Sequence, residues 1–486
     1  MECTVFACVV AGMYVSGDFG LADNGDFTRN NRWITSGPMG FAVNWPEKNT
    51  PDWDRRFFRY WLPDWQLHWK RTRPRTSAIV FWLPGALLNC LFYSRQVLSL
   101  PVLSIPARAA VCAFVLLVLV WARSAPRPEQ RFGLTLIMGL PIALLLTTRD
   151  CAAYLNTFYQ ETASLLFALA FIASLVYLRR APRSHVRWVI CGLSLTLLCT
   201  AKASCFHWAA LGTGFVLALR TGSKVKLRAV LTAGVWAAAL AAASLKFTDP
   251  GNGSTTSYNS LFTGILPFSA CPQRHLDRLG LSDALCCIGH SAFTPVGTAF
   301  LQRHPRDEHH QGALNVILHE PAVLARAVFY VATQMGDLSL DYLGHYAPTD
   351  PRSTSERLVP AAEGVRVWVP SRDSFLNVWS WAQFHAFPRG WLLLGSLFLL
   401  GTLAISGLRR AGLEGEASLV VLVAVVACVM EMTVAIVGDG RQELIKHLFL
   451  ANVLFSIALI ATIARLGLRI PGPGGRKFVS DRLRRG

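Results

Sequence analysis

The sequence predicts an all-α integral membrane protein, a bundle of about 11 transmembrane helices with one long connection outside the bilayer. Two observations carry that expectation. Of 486 residues, 52% are apolar and 16% charged, with a mean hydropathy of +0.37 and 15 tryptophans. A soluble globular chain carries about 25% charge. Apolar runs able to cross about 30 Å of hydrocarbon then recur along most of the chain. They fall at 3–15, 78–93, 105–121, 132–147, 163–178, 188–199, 205–219, 230–247, 391–405, 417–437 and 444–463. Several fall short of the roughly 20 residues of a lipid-embedded helix, as suits spans whose ends open into a polar cavity. The first run has neither a basic flank nor a small-residue cleavage site and is expected to be retained.

Short basic loops set the orientation. Arg123, Arg127 and Arg131, then Arg179, Arg180 and Arg183, then Arg220 to Arg228 with Lys224 and Lys226, then Arg409 and Arg410, and finally the tail, belong inside. Residues 149–161, 200–204, 248–390 and 438–447 then belong outside. The first third leaves two arrangements open. If 78–93 simply crosses, the connection 18–75, which ends in Lys70, Arg71, Arg73 and Arg75, falls inside. If 95–107, with Pro101 and Pro106, adds a crossing or a re-entrant turn, the spans number 12 or 13 and 18–75 lies outside. Four regions follow: a transmembrane catalytic module at 1–247 with external loops 18–75 and 149–161, a membrane-apposed external region at 248–390, further spans at 391–464, and a basic cytoplasmic tail at 465–486. Within the second region, Trp379 and Trp381 in 374–388 have the character of an interfacial belt.

The net charge of +18 resides largely in those loops and the tail. It suits topology and an anionic inner leaflet. No nucleic-acid-reading module is present, which excludes that class. The 12 cysteines lie mostly in apolar runs as small hydrophobes, with Cys271 and either Cys286 or Cys287 as a candidate external disulfide.

Three polar stretches interrupt the apolar pattern. DFGLADNGDFTRN, at 18–30, sets Asp18, Asp23 and Asp26 where a membrane run gives out. Unpaired carboxylates are costly in lipid, so these belong at the bilayer surface or in a polar cavity. RDCAAYLNTFYQE, at 149–161, brackets Tyr154, Asn156 and Tyr159 between Asp150 and Glu161. Carboxylates, amides and rings in that mixture are what a carbohydrate site requires. GDGRQELIKHLFLAN, at 438–452, holds Asp439, Arg441, Glu443, Lys446 and His447 between two apolar runs. On a helix Glu443, Lys446 and His447 share a face. Arg or Lys there can hold a phosphate, and the competing reading is a salt-bridged helix cap. Lys202, in the break at 200–204, either snorkels to water or faces the same cavity.

The overall plan resembles the GT-C superfamily of polyprenyl-phosphate-sugar-dependent glycosyltransferases. More narrowly, GLADNGDF, YLNTFYQE and GDGRQELIKHLFLAN are similar to bacterial cell-surface glycan hexose transferases of the WsfD-like group. An acidic residue in the first external loop is the usual catalytic base of that superfamily, and the resemblance carries this role to Asp26 or Asp23. The implied reaction is inversion at an anomeric carbon, with a carboxylate taking the acceptor's proton and cations meeting the leaving phosphate. Arg441, Lys446, Lys202 and His447 suit the phosphate, while Glu161 and Asp150 would orient the acceptor or assist the base. A divalent ion, Mg or Mn, on Asp23 and Asp26 is a further option. The implied partners are a polyprenyl-phosphate-linked sugar, a glycan or lipid-linked acceptor, and membrane lipids. The implied location is the bacterial inner membrane, with the site facing the periplasm or exterior. The rival reading is a transporter or flippase of a lipid-linked saccharide, although the sequence lacks the related halves common in transporters.

Overall fold

The computed structural model describes residues 1–41, 46–47, 50–70, 76–218, 253–304, 309–336, 340, 343–354 and 390–469. The expected span 230–247, the loop from Arg220 to Arg228, the basic run 71–75, the aromatic segment 374–388 and the tail beyond 469 lie outside the described residues.

The helices that build the bundle are α1 (Glu2–Val15), α2 (Ile79–Phe92), α3 (Ile105–Arg123), α4 (Pro128–Thr147), α5 (Glu161–Arg180), α6 (His185–Cys199), α7 (Gly390–Gly407), α8 (Gly412–Asp439) and α9 (Phe449–Gly467). Six of these, α3, α4, α5, α7, α8 and α9, are long and apolar enough to cross a membrane. Gly312–His319 with Ala322–Gln334, bent by 108°, would make a seventh. Pro141 cannot donate a hydrogen bond one turn back, and α4 accommodates it with a π turn over Thr135–Gly139. Helices α8 and α9 pack along their length at the centre, flanked by α5 and α7.

The two ends of the bundle differ in chemistry. At one end Arg180 pairs with Glu416 at 2.8 Å, Trp121 Nε1 donates to the same carboxylate, and Arg179 donates to the Leu408 carbonyl. Arg465 reaches Ser406, and Arg469 pairs with Glu414. The basic loops after α3, α5 and α7 therefore gather on one side, as the charge rule requires. The polar stretches gather at the other end, where Asn156 holds the carbonyls of Ser16 and Phe19 at the exit of α1.

The structure corrects the expectation for residues 78–93, whose helix α2 is not a crossing. Three short strands, β1 (Thr35–Pro38), β2 (Asp64–Leu67) and β3 (Val97–Ser99), form an antiparallel sheet in the order β1-β2-β3, with Trp65 opposite Leu98. A strand before α2 thus pairs with a strand after it, which a spanning helix would forbid. Its N-terminal end is tied to the far end of α6, where Ser77 N–H donates to the Thr200 carbonyl at 2.9 Å and Thr76 Oγ1 to the Ala201 carbonyl. Both ends of α2 lie at the polar end of the bundle. Neither arrangement expected for the first third applies: 95–107 holds β3, a short turn and the start of α3. The connection 18–75 still shares a side with 149–161, because one presumed crossing is removed rather than one added. The sheet also departs from the all-α expectation, since strands of three and four residues are too short to show a period of two. Cys271, Cys286 and Cys287 are free thiols, so the candidate disulfide is absent.

Residues 258–300 and 313–323 form a second, smaller core around Tyr258, Phe262, Phe300 and Val316. The Ser260 hydroxyl donates to the Val437 carbonyl, placing this unit against the polar end of α8.

Candidate active site

The turn that follows α1 is built around Asp23. Its Oδ1 accepts from the backbone N–H of Gly25 at 2.7 Å and Phe27 at 3.0 Å, and Oδ2 lies 2.8 Å from Arg56. Arg56 is wholly buried, with its guanidinium 4.9 Å from the Trp65 ring. Gly25 adopts φ 102°, a conformation that side chains resist, and so lets the chain turn directly into the helix Asp26–Asn31. Asp23 is a cap and an anchor. Asp26, one helical start later, is the carboxylate that this turn presents.

Asp26 Oδ2 stands 2.6 Å from Lys446 Nζ, with the Asp26 side chain 20% exposed and that of Lys446 only 2%. Lys446 also pairs with Glu443 and lies 5.3 Å over the Tyr159 ring. The Tyr159 hydroxyl donates to the Ala22 carbonyl at 2.8 Å and accepts from Asn24 N–H at 3.2 Å. Glu443 sits at φ 48°, in left-handed backbone that a non-glycine residue adopts at a cost, and Asn24 Nδ2 donates to its carboxylate. Two loops more than 400 residues apart are thus locked together by one lysine and one amide.

A second chain of contacts runs alongside. Lys202 Nζ lies 2.7 Å from Glu161 and 3.1 Å from His447 Nδ1. On the other side of the ring, His447 Nε2 is 3.3 Å from Asp439, whose other oxygen accepts from Asn259 at 3.1 Å. His447 belongs to the turn Leu444–His447 that precedes α9. Burial lowers its pKa, and the Lys202 ammonium lowers it further. A neutral ring can accept at Nδ1 from Lys202 and face Asp439 with Nε2–H. Among the described residues, four carboxylates, Asp26, Glu161, Asp439 and Glu443, therefore meet two ammonium groups.

Arg441 stands apart from this compensation. Gly440, at φ 64°, makes the turn out of α8, and a side chain there would run into the Thr263 hydroxyl and the Asn259 carbonyl. The Arg441 N–H then donates to Thr263 Oγ1, and the guanidinium lies 5.0 Å from the Phe268 ring centre and 4.9 Å from that of Tyr330. No carboxylate pairs with it among the described residues. Two aromatic faces fix the plane of the fork and leave its hydrogen-bonding edges available for an anion.

Of the residues expected from sequence, Asp26, Tyr159, Glu161, Lys202, Asp439, Lys446 and His447 come together, with Arg441 on the adjoining turn. Asp23 caps. Asp150 is buried 3.9 Å from Arg149 and touches none of the others. Tyr154 packs on Phe449 at 4.1 Å, and Asn156 braces the exit of α1 while accepting from Arg108. Asp23 is engaged by Arg56 and Asp26 by Lys446, and among the described residues no three His, Cys, Asp or Glu are arranged to hold a metal. Sequence reasoning missed Asn24, Arg56, Asn259, Phe268 and Tyr330, which reach the site from a turn, the ends of short helices and the helix Ala322–Gln334, with no local signal. It also gave no role to Glu431 and His207 below the site, 3.3 Å apart, although a glutamate deep in an apolar run is itself a signal.

The His447 environment has a measurable consequence. An imidazole held neutral when folded takes up its proton more readily unfolded, so its contribution to stability is complete above about pH 6.5 and falls as the pH drops below that. The unfolding temperature of the parent is expected to fall more steeply between about pH 6.5 and pH 5 than that of His447→Gln. Parallel acid profiles of the two proteins would contradict the assignment.

Fold and site define a class: a multi-pass helical membrane protein whose polar site is assembled from separate loops at one end of its bundle. The chain belongs to the family described as the YfdI N-terminal transmembrane domain, whose model matches residues 1–299. Among solved structures, the chain is similar to the oligosaccharyltransferase AglB of Archaeoglobus fulgidus in complex with an inhibitory peptide and a dolichol-phosphate, at 12% identity and a TM-score of 0.37. It is similar to the apo form of the Archaeoglobus fulgidus oligosaccharyltransferase at 13% and 0.37. In both cases 95% of this chain covers 50% of the other, so the chain spans about half the length of those proteins. No curated protein matches the sequence.

Proposed function

We propose that this protein is an inverting glycosyltransferase of GT-C type, moving a sugar from a polyprenyl-phosphate donor to a glycan or lipid-linked acceptor on the outer side of a bacterial inner membrane. The observation that carries the reading is the placement of Asp26. Its partly exposed carboxylate, 2.6 Å from a buried ammonium, lies where the loop after α1, the loop before α5 and the turn between α8 and α9 converge. A base in this reaction must be ionised and within about 3 Å of the acceptor hydroxyl. Asp26 meets the first demand through Lys446 and is open enough to meet the second. Glu161, held by Lys202, and Asp439, beside His447, stand ready to bind acceptor hydroxyls.

The leaving phosphate needs a cation that is not already neutralised. Lys446 and Lys202 are engaged by carboxylates, which favours Arg441 as the donor's main contact. It follows directly on the end of α8, a helix long and apolar enough to cross a membrane, which suits contact with a lipid phosphate. The reading covers transfer of a hexose or a pentose. Binding of a polyprenyl phosphate to the purified protein tests the donor site. Arg441→Ala is expected to weaken it by about tenfold to a hundredfold, the worth of a charge-assisted hydrogen-bonded contact at about 1.5–3 kcal/mol. Arg441→Lys should recover little, because a point charge does not replace the paired fork. Unchanged affinity in both folded variants would remove the phosphate from this turn.

A further inference from the structure

We propose that α2 is a leaflet-embedded helix, inserted into the membrane only on the side of the candidate site, with its outward face lying among lipid acyl chains. The inference is independent of the glycosyl-transfer reading. Val80, Leu83, Leu87 and Leu91 recur at spacings of three and four and form one exposed apolar row, while Trp82, Gly85, Ala86 and Asn89 form the opposite, buried row. The helix ends in Leu91, Phe92 and Tyr93, which are 72%, 80% and 56% exposed. Such a face in water would be an unusual liability.

Lipid is the occupant that the position of α2 selects. Phe81 stacks on Phe167 at 5.1 Å. Phe167 lies six residues into α5, so this part of α2 is about 9 Å below the polar end of a membrane-crossing helix. Gly85 packs so closely on the Leu103 carbonyl that a side chain could not fit, which presses α2 against the start of α3. The first residue of α3, Ile105, is likewise an exposed apolar side chain, and α3 and α5 are both long and apolar enough to cross a membrane.

The helix end is also finished as lipid demands. Backbone groups in hydrocarbon must find partners within the protein. Asn89 Nδ2 donates to the carbonyls of Ser94 and Val97 at 2.8 and 2.7 Å, and its Oδ1 accepts from Ser99 N–H at 2.9 Å. At the other end the Ser77 hydroxyl donates to the Leu197 carbonyl at 2.6 Å. Exposed Trp69 and Lys70 before the helix, and Tyr93 and Arg95 after it, have the amphipathic and cationic character of headgroup-level anchors. The inserted helix in turn sets the depth of the site. Trp82 meets Phe158 edge-on at 5.5 Å, and Phe158 meets Phe27, the neighbour of Asp26, at 5.9 Å.

The test uses the full chain in phospholipid vesicles, with the accessible cysteines 3, 8, 90, 112, 271 and 286 replaced by alanine and the buried ones retained. Single cysteines at 83, 87 and 91 carry a nitroxide whose depth is read from its relaxation by oxygen and by an aqueous nickel chelate. A fourth label replaces exposed Leu116, halfway along α3. The three α2 labels are expected at similar shallow depths, and position 116 deeper. A depth that advances by about 1.5 Å per residue through the bilayer centre would make α2 a span and overturn the proposal. So would full access of the nickel reagent to position 87, or dipolar broadening that reveals a second copy covering the row. Thiol labelling of His68→Cys and Arg95→Cys supplies a second reading that leaves the helix intact. An impermeant reagent should reach both from the same side of sealed vesicles, and reaction from opposite sides would refute it.

Discussion

Asp26→Asn is expected to leave the protein folded and to lower glycosyl transfer by about 10²–10⁴-fold, the usual contribution of a general base. The swap preserves shape. The side chain is 20% exposed at the polar end of the bundle, so the replacement amide can be solvated. Lys446 is not left as an orphaned buried charge, because Glu443 remains its partner. What disappears is the proton acceptor, and with it the acceleration of acceptor attack. Turnover and thermal unfolding measured side by side separate the two effects. Full turnover in a folded Asp26→Asn protein would take the role from Asp26 and leave Glu161, the next carboxylate in the cluster, to be tested.

Asp23→Ala is expected to behave in the opposite way, with loss of stability as its primary effect. The substitution takes a buried carboxylate away from Arg56, which has no exposed surface, and removes the acceptor for two backbone N–H groups of the turn. Removing one partner of a buried ion pair costs about 3–5 kcal/mol, a large share of the ordinary stability of a folded domain. A folded Asp23→Ala protein with parental unfolding temperature and no activity would instead make Asp23 the base.

Much of this site was legible because polar density in an apolar sequence is conspicuous. Asp26, Glu161, Lys202, Lys446 and His447 stood out for that reason, and the structure gathers them. What the sequence could not rank was which polar residues serve the scaffold. Asp23 and Asp26 look alike in a string, and only Arg56, arriving from 33 residues away and buried, separates them. The cations were similarly ambiguous. Lys446 and Lys202 read as phosphate ligands until their carboxylate partners are in place, whereas Arg441 is singled out by rings from a short 3-10 turn and a separate helix that carry no local mark. Hydropathy marks the six long apolar helices but cannot place α2, because an apolar run of 14 residues has the same composition whether it crosses a bilayer or lies in one leaflet. The strand pairing that decides the matter is non-local.

The most direct test of the central claim is the stereochemistry of transfer. The purified full chain, reconstituted in lipid vesicles with a polyprenyl-phosphate hexose and a candidate glycan acceptor, is expected to release product whose anomeric configuration is opposite to that of the donor, as a single displacement activated by one base requires. Product with the donor's configuration retained would contradict the account. So would transport of the intact donor across the membrane with no new glycosidic bond.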